Sequence, residues 1–183
     1  MTKSPKPKLA HFGLYVRDIE RMVDFYTRVF GLTITDRGNA GLGRGELVFM
    51  SADPGEHHQL VLVAGRTNEM QNSAIQQISF LVYTLEELHT LYERICADSR
   101  EIDRAVTHGN AWSVYFFDPE KNRVEFYCHT PWHVPQPHAF PIDFSQSIKE
   151  IERITEEHCR ATKGFMLASE RTAVMEQLLQ REN

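Results

Sequence analysis

Two pairs of polar residues stand at one spacing in this chain. His11 and Gln77 are 66 positions apart, and so are Gln59 and Glu125. Glu125 lies in the apolar run Val124-Glu-Phe-Tyr127. An ionised carboxylate buried without a partner is expensive, so a metal or a base is expected opposite it. Arg123 and Arg104 are the alternative partners. His11 lies in a second apolar run, Leu9-Ala-His-Phe-Gly-Leu-Tyr-Val16. An imidazole there serves as a metal ligand, as an acid–base group or as a hydrogen-bonded core residue. Gln59 and Gln77 read as amides lining a cleft, or as ordinary polar residues on a solvated face. His89, His129, His133, His138 and His158 are scattered without ligand spacing. No Gly-rich phosphate loop, Gly-x-Ser-x-Gly elbow or His-Glu-x-x-His helix is found.

The spacing marks an internal duplication. Leu9 to Val16 and Ile75 to Val82 both read as strands, each followed by a polar residue (Asp18, Thr84) and a helical pattern. The first helix is expected over Ile19 to Phe30, with Met22, Phe25, Tyr26, Val29 and Phe30 as its apolar stripe. Asp18 is its N-cap and Gly31 its stop. The second is expected over Leu85 to Ala97, opened by a Thr84-Leu-Glu-Glu87 capping box. Three strands follow each helix, near 32–37, 46–50 and 57–63, then near 104–107, 113–117 and 124–128. Residues 39–45 hold three glycines and read as a mobile hairpin connection. Asp118-Pro-Glu-Lys-Asn122 is a turn by composition. The pattern is a βαβββ unit written twice.

Beyond Cys128 the pattern changes. Thr130 to Pro137 is a proline-rich strap, and Phe144, Ile148, Ile151 and Ile154 mark an amphipathic helix that stops near Gly164. A last helical stretch runs over about 168–180. The apolar faces of these helices need a partner, either the core or another subunit. A homodimer is the expected assembly.

Composition bounds the rest. The chain has 183 residues, 42% of them hydrophobic and 25% charged, which is ordinary for a globular domain and excludes disorder. Its net charge of −5 offers no basic stripe, so no nucleic-acid partner is expected. No apolar run approaches the roughly 18–20 residues of a membrane span. The basic segment 1–8 lacks the apolar core of a signal peptide and reads as a disordered lead. Cys96, Cys128 and Cys159 are odd in number and widely spaced, which fits free thiols in a reducing cytoplasm.

With the duplication, a His on the first strand, a Gln on its repeat and a Glu on the last strand, residues 9–130 resemble the vicinal oxygen chelate superfamily. That group includes glyoxalase I, extradiol ring-cleavage dioxygenases and bleomycin-resistance proteins. Within it, His108-Gly-Asn-Ala-Trp-Ser-Val-Tyr115 followed by Phe-Phe-Asp-Pro-Glu-Lys-Asn-Arg-Val-Glu125 is most similar to the extradiol dioxygenases. The resemblance implies an α+β fold: two tandem βαβββ modules, about 9–66 and 75–130, in a half-open mixed β-barrel around a cleft. Residues 131–183 would be a strap and helical tail outside that domain.

The resemblance also implies a site. His11, Gln77 and Glu125 fall at metal-ligand positions, with Gln59 beside them. Two His and one carboxylate form the facial triad that suits non-haem Fe(II) with open positions. Here Gln77 replaces the second His, and an amide oxygen is a weaker ligand than an imidazole. Mn, Zn or Ni, or no metal at all, are the alternatives to Fe(II). His108, Tyr115 and the His57-His58 pair fall where the extradiol enzymes carry their proton-handling groups. Ring cleavage needs a base for a catechol proton and a donor for the charge that develops, and an imidazole can be both. Strand alternation would put His57 on the face of Gln59 and His58 on the other. Trp112 is either a ring that stacks on an aromatic substrate or a core Trp.

The expected function is therefore divalent-metal-dependent extradiol cleavage of a small catecholic aromatic by dioxygen. A glyoxalase-like isomerase or lyase and a metal-free, bleomycin-resistance-like binding protein are the alternatives. A further reading is an interaction protein that dimerises through its tail.

Overall fold

The computed structural model describes residues 9–39, 45–67 and 75–181. The expected disordered lead (1–8) and most of the expected hairpin connection (40–44) lie outside them. The chain forms two compact units. One gathers the described residues up to Ile78 with Phe117–Arg123, and the other Ser79–Phe116 with Val124 onward.

The first unit reads β1 (Phe12–Val16), α1 (Ile19–Phe30), β2 (Thr33–Asn39), β3 (Glu46–Ser51) and β4 (Leu60–Ala64). Its sheet runs β1-β4-β3-β2. First and last strands are parallel neighbours, with Phe12 opposite Leu60. Asp18 caps α1 by accepting the Arg21 N–H, and Gly31 ends it in the left-handed conformation at φ 71°. The stripe at 22, 23, 25, 26 and 29 is buried with Leu14, Val16, Val48, Met50, Leu60 and Leu62. Each such side chain contributes about 1.5–3 kcal/mol on burial.

The turn at Asp118 anchors this unit. The Asp118 carboxylate accepts from the backbone N–H of Glu120 and Asn122, from Asn122 Nδ2 and from the Tyr26 hydroxyl. Burial pushes its pKa above the ordinary value. Glu120 Oε1 accepts the N–H groups of Arg17 and Asp18 at 2.6 and 2.9 Å, and Arg66 donates to the Glu120 carbonyl. Buried polar atoms are thus paired with the loop that opens α1.

The second unit repeats the order: β5 (Ile78–Leu81), α2 (Leu85–Ala97), β6 (Ile102–Thr107), β7 (Ala111–Phe117) and β8 (Arg123–His129). The Thr84–Glu87 capping box is complete. The strap and tail supply β9 (Trp132–His133), β10 (Phe140–Pro141), α3 (Ile148–Ala161), β11 (Met166–Leu167) and α4 (Ala168–Arg181). The sheet runs β10-β6-β7-β8-β5, so the tail adds an edge strand, while β9 and β11 form a separate ladder.

The expected need of the tail helices for a partner is met in part within the chain. α3 buries Ile151, Thr155 and Cys159. Phe144 stacks on Tyr92 of α2 at 4.8 Å between ring centres. The Trp112 indole N–H donates to Thr155 Oγ1 at 2.8 Å. Among the described residues no helix is long and apolar enough to cross a membrane.

One correction concerns β4. The sequence reading begins this strand at His57, but it begins at Leu60. Residues 57–59 close a loop instead, because Gln59 Oε1 folds back to accept the Ala52 N–H at 2.9 Å. The alternation argument separating His57 from His58 therefore does not apply.

Candidate functional site

A polar row crosses one sheet of the second unit. Arg104 on β6 is in register with Tyr115 on β7, and its guanidinium lies 4.6 Å from the centre of the Tyr115 ring. Glu125 on β8 is the acidic neighbour of Tyr115, and the Ser79 hydroxyl of β5 donates to the Glu125 carboxylate. Glu125 is 6% exposed. Strand alternation explains the row. Val124, Phe126 and Cys128 are buried on one face of β8, which turns Glu125 to the other. β8 lies between β7 and β5, so a side chain at its middle meets both neighbours.

His108 extends the row at the end of β6. Its Nε2 lies 3.0 Å from the Tyr115 hydroxyl, and its Nδ1 lies 2.6 Å from the His138 carbonyl oxygen. A carbonyl only accepts, so Nδ1 carries the proton and Nε2 of the neutral ring accepts from Tyr115. Burial first, and then the neighbouring Glu125 carboxylate, push the Tyr115 pKa up to about 12. Tyr115 is a phenol, not a phenolate, at neutral pH. A hollow of about 380 Å³ opens beside His108, lined by Arg104, Gln136, Pro137, His138 and Ala139.

The first unit carries a second cluster. The His11 and His58 rings are 4.3 Å apart, and His57 Nδ1 is 2.9 Å from His58 Nδ1. His57 Nε2 lies 3.9 Å from Asp36. Burial first, then the neighbouring His11 and His57, hold the His58 pKa below the usual imidazole value. Phe49 packs edge-on against His58 at 5.1 Å. His11 is exposed, as are Gly13 and Tyr15, opposite buried Leu14 and Val16. The Gln59 N–H bonds to the Met50 carbonyl and the Gln59 carbonyl accepts the Phe12 N–H, which seats it beside the start of β1.

Gln77 is half-buried, just ahead of β5. Trp112 takes the core place: it is 3% exposed, bonded to Thr155 and edge-on to Trp132 at 5.9 Å. So buried a ring has no face for a substrate. Among the described residues no three His, Cys, Asp or Glu side chains gather to hold a metal ion. Sequence reasoning missed Ser79, which shares the strand face of Gln77 by a spacing of two, and the strap residues Gln136 and His138.

Comparison with known proteins fits this arrangement. Residues 8–126 match the model of the Glyoxalase/Bleomycin resistance protein/Dioxygenase superfamily. Biphenyl-2,3-diol 1,2-dioxygenase 2 of Rhodococcus globerulus is 30% identical over 123 residues, covering 65% of this chain and 61% of the relative. The match thus spans about three fifths of that dioxygenase. A glyoxylase/bleomycin resistance protein/dioxygenase domain from Frankia sp. EAN1pec superposes with a TM-score of 0.59 at 20% identity, over 69% of this chain and all of that one. A mutant of the fosfomycin resistance protein FosX from Listeria monocytogenes, complexed with Mn(II) and 1S,2S-dihydroxypropylphosphonic acid, has a TM-score of 0.56 at 20% identity, over 69% and 95% of the two chains. At those identities the two structures support the fold alone. With its two βαβββ repeats, and with the family model matched over most of its length, this chain belongs to the glyoxalase/bleomycin resistance protein/dioxygenase superfamily.

Proposed function

We propose that the protein is a divalent-metal enzyme of the extradiol type, cleaving a small catecholic aromatic with dioxygen as co-substrate. The observation that carries this reading is the His108–Tyr115 hydrogen bond beside the buried Glu125 carboxylate. The 30% identity to a biphenyl-2,3-diol dioxygenase supports it. Glu125 would help to hold the metal. A carboxylate beside the imidazole and amide donors that the resemblance implies suits a first-row divalent ion, with Fe(II) the choice for oxygen chemistry. Such an ion, when bound, supplies Lewis-acid activation of a vicinal pair of oxygens and open positions for the co-substrate.

The proton work falls to the residues of the row. With Nδ1 carrying the ring proton, His108 Nε2 accepts from the Tyr115 hydroxyl at 3.0 Å. One proton added at Nε2 reverses that bond: Nε2–H then donates to the Tyr115 oxygen. The row can therefore take up a substrate proton without moving a heavy atom, and give it back. His58, held neutral beside His11, is a second base. His57 and Gln59 would line the substrate side of that cluster.

The test is turnover of a catechol panel by Fe(II)-loaded protein under air, read as new absorbance from the ring-opened product. Ring opening by the wild type, slowed on the order of 100-fold in Tyr115→Phe, is the expected result. A protein that binds aromatic ligands equally well with and without chelator, and never opens them, supports instead a metal-free binding protein. The amide at Gln77 is the observation that favours that second reading.

A further inference from the structure

We propose that the C-terminal extension is a positioning device for His108, fixing the ring in its Nδ1–H form and aiming Nε2 at Tyr115. The proposal rests on reading His108 as a proton-handling group. The contacts come from beyond the family domain, whose match ends at residue 126.

The tautomer follows from one contact. His108 Nδ1 lies 2.6 Å from the backbone oxygen of His138, an acceptor with no proton to give. The tautomer of a neutral imidazole is set by the hydrogen bond made at the other nitrogen. The His138 carbonyl thereby leaves Nε2 unprotonated, 3.0 Å from Tyr115.

A single side chain holds that carbonyl in place. Gln136 Nε2 donates to the His108 carbonyl at 2.6 Å and to the Val134 carbonyl at 3.3 Å, while Gln136 Oε1 accepts the His138 N–H at 3.1 Å. One amide thus ties the residue whose ring is oriented to the residue that orients it. The backbone beneath is gripped as well. Gly109 is left-handed at φ 79°, and a Cβ there would overlap Val134. The Thr130 hydroxyl donates to the Gly109 carbonyl at 2.5 Å, and the Thr130 N–H bonds to the Asn110 carbonyl. Residues 130–138 therefore clamp the His108–Asn110 turn from its outer side. Gln136 is a positioning residue, since it acts through His108.

The experiment is long-range 1H–15N correlation NMR of the His108 ring in the full-length protein, at a pH where the ring is neutral, with His108→Asn for assignment. The wild type should show a protonated Nδ1 and a bare Nε2. Gln136→Ala should invert the tautomer ratio toward Nε2–H. Gln136→Glu should shift it the same way, because it loses the donor to His108 yet keeps the acceptor for the His138 N–H. Unchanged indole N–H signals of Trp112 and Trp132 report an intact extension. If Gln136→Ala fails to fold, Gln136→Glu decides. An Nε2–H ring in the wild type, or an unmoved tautomer in a folded Gln136 variant, overturns the proposal. The readout needs neither metal nor substrate. A protein with the Nδ1–H ring that opens no catechol defeats the proposed reaction and leaves the positioning role standing.

Discussion

The Tyr115 hydroxyl lies 3.0 Å from His108 Nε2, and the buried Glu125 carboxylate on the next strand is its acidic neighbour. The geometry comes from ordinary sheet rules. Tyr115 and Glu125 lie on adjacent strands, and His108 closes the turn between β6 and β7 through its N–H to the Ala111 carbonyl.

Tyr115→Phe tests that connection. It keeps the ring beneath Arg104 and removes only the oxygen. Catechol turnover is expected to fall on the order of 100-fold, the lower range for a lost general acid–base contribution, with a melting temperature close to wild type. Steady-state kinetics beside a thermal melt checks both. Undiminished kcat would remove Tyr115 from the proton path.

Gln77→His restores an imidazole at the position where the superfamily resemblance expects one. Affinity for Fe(II) or Zn(II), measured by competition with a chelating dye, should rise by at least the roughly tenfold that outer-shell changes alone can produce. Equal affinity would mean that Gln77 does not face the metal.

Thr155→Val isolates the dock of α3 on the sheet. It preserves shape but leaves the buried Trp112 indole N–H without its 2.8 Å acceptor. The cost expected for one buried unsatisfied donor is about 1–3 kcal/mol. Urea denaturation followed by Trp fluorescence should show the midpoint falling by a matching amount. A neutral result would mean that water takes the place of Thr155.

Acid should destabilise the fold through its histidines. His58, His133 and His138 are all held below the usual imidazole pKa, each mainly by burial. Between a depressed folded pKa and the unfolded value near 6.5, the unfolded chain binds more protons, so stability rises with pH. Their stabilising effect is present above about pH 6.5 and is lost as pH falls through the folded values. Urea midpoints from pH 7.5 down to 5 should therefore fall, and His58→Gln should flatten part of the slope. A midpoint that rises on acidification would contradict the sign.

Much of the fold was legible because it is local. Asp18, Gly31 and Thr84 through Glu87 are short-range signals, and the helices between them begin and end where these residues place them. The 66-residue offset showed the duplication because side-chain types recur with strand position. The loop at 57–59 was not legible, since only the return of Gln59 onto the Ala52 N–H ends the strand pattern there. Nor was the clamp on His108. Gln136 and His138 read as strap residues, and their partner lies about thirty positions away through backbone carbonyls, which carry no sequence signal. Trp112 was ambiguous for a similar reason: its partner Thr155 is on a helix 43 residues on.

Glu125 is proposed to help hold a divalent metal. Anaerobically purified, untagged protein would be loaded with Fe(II), passed through a desalting column and measured by elemental mass spectrometry, wild type beside Glu125→Gln. The expected result is about one iron per wild-type chain and almost none in the variant. No iron in the wild type, or equal iron in both proteins, would remove Glu125 from the metal ligands.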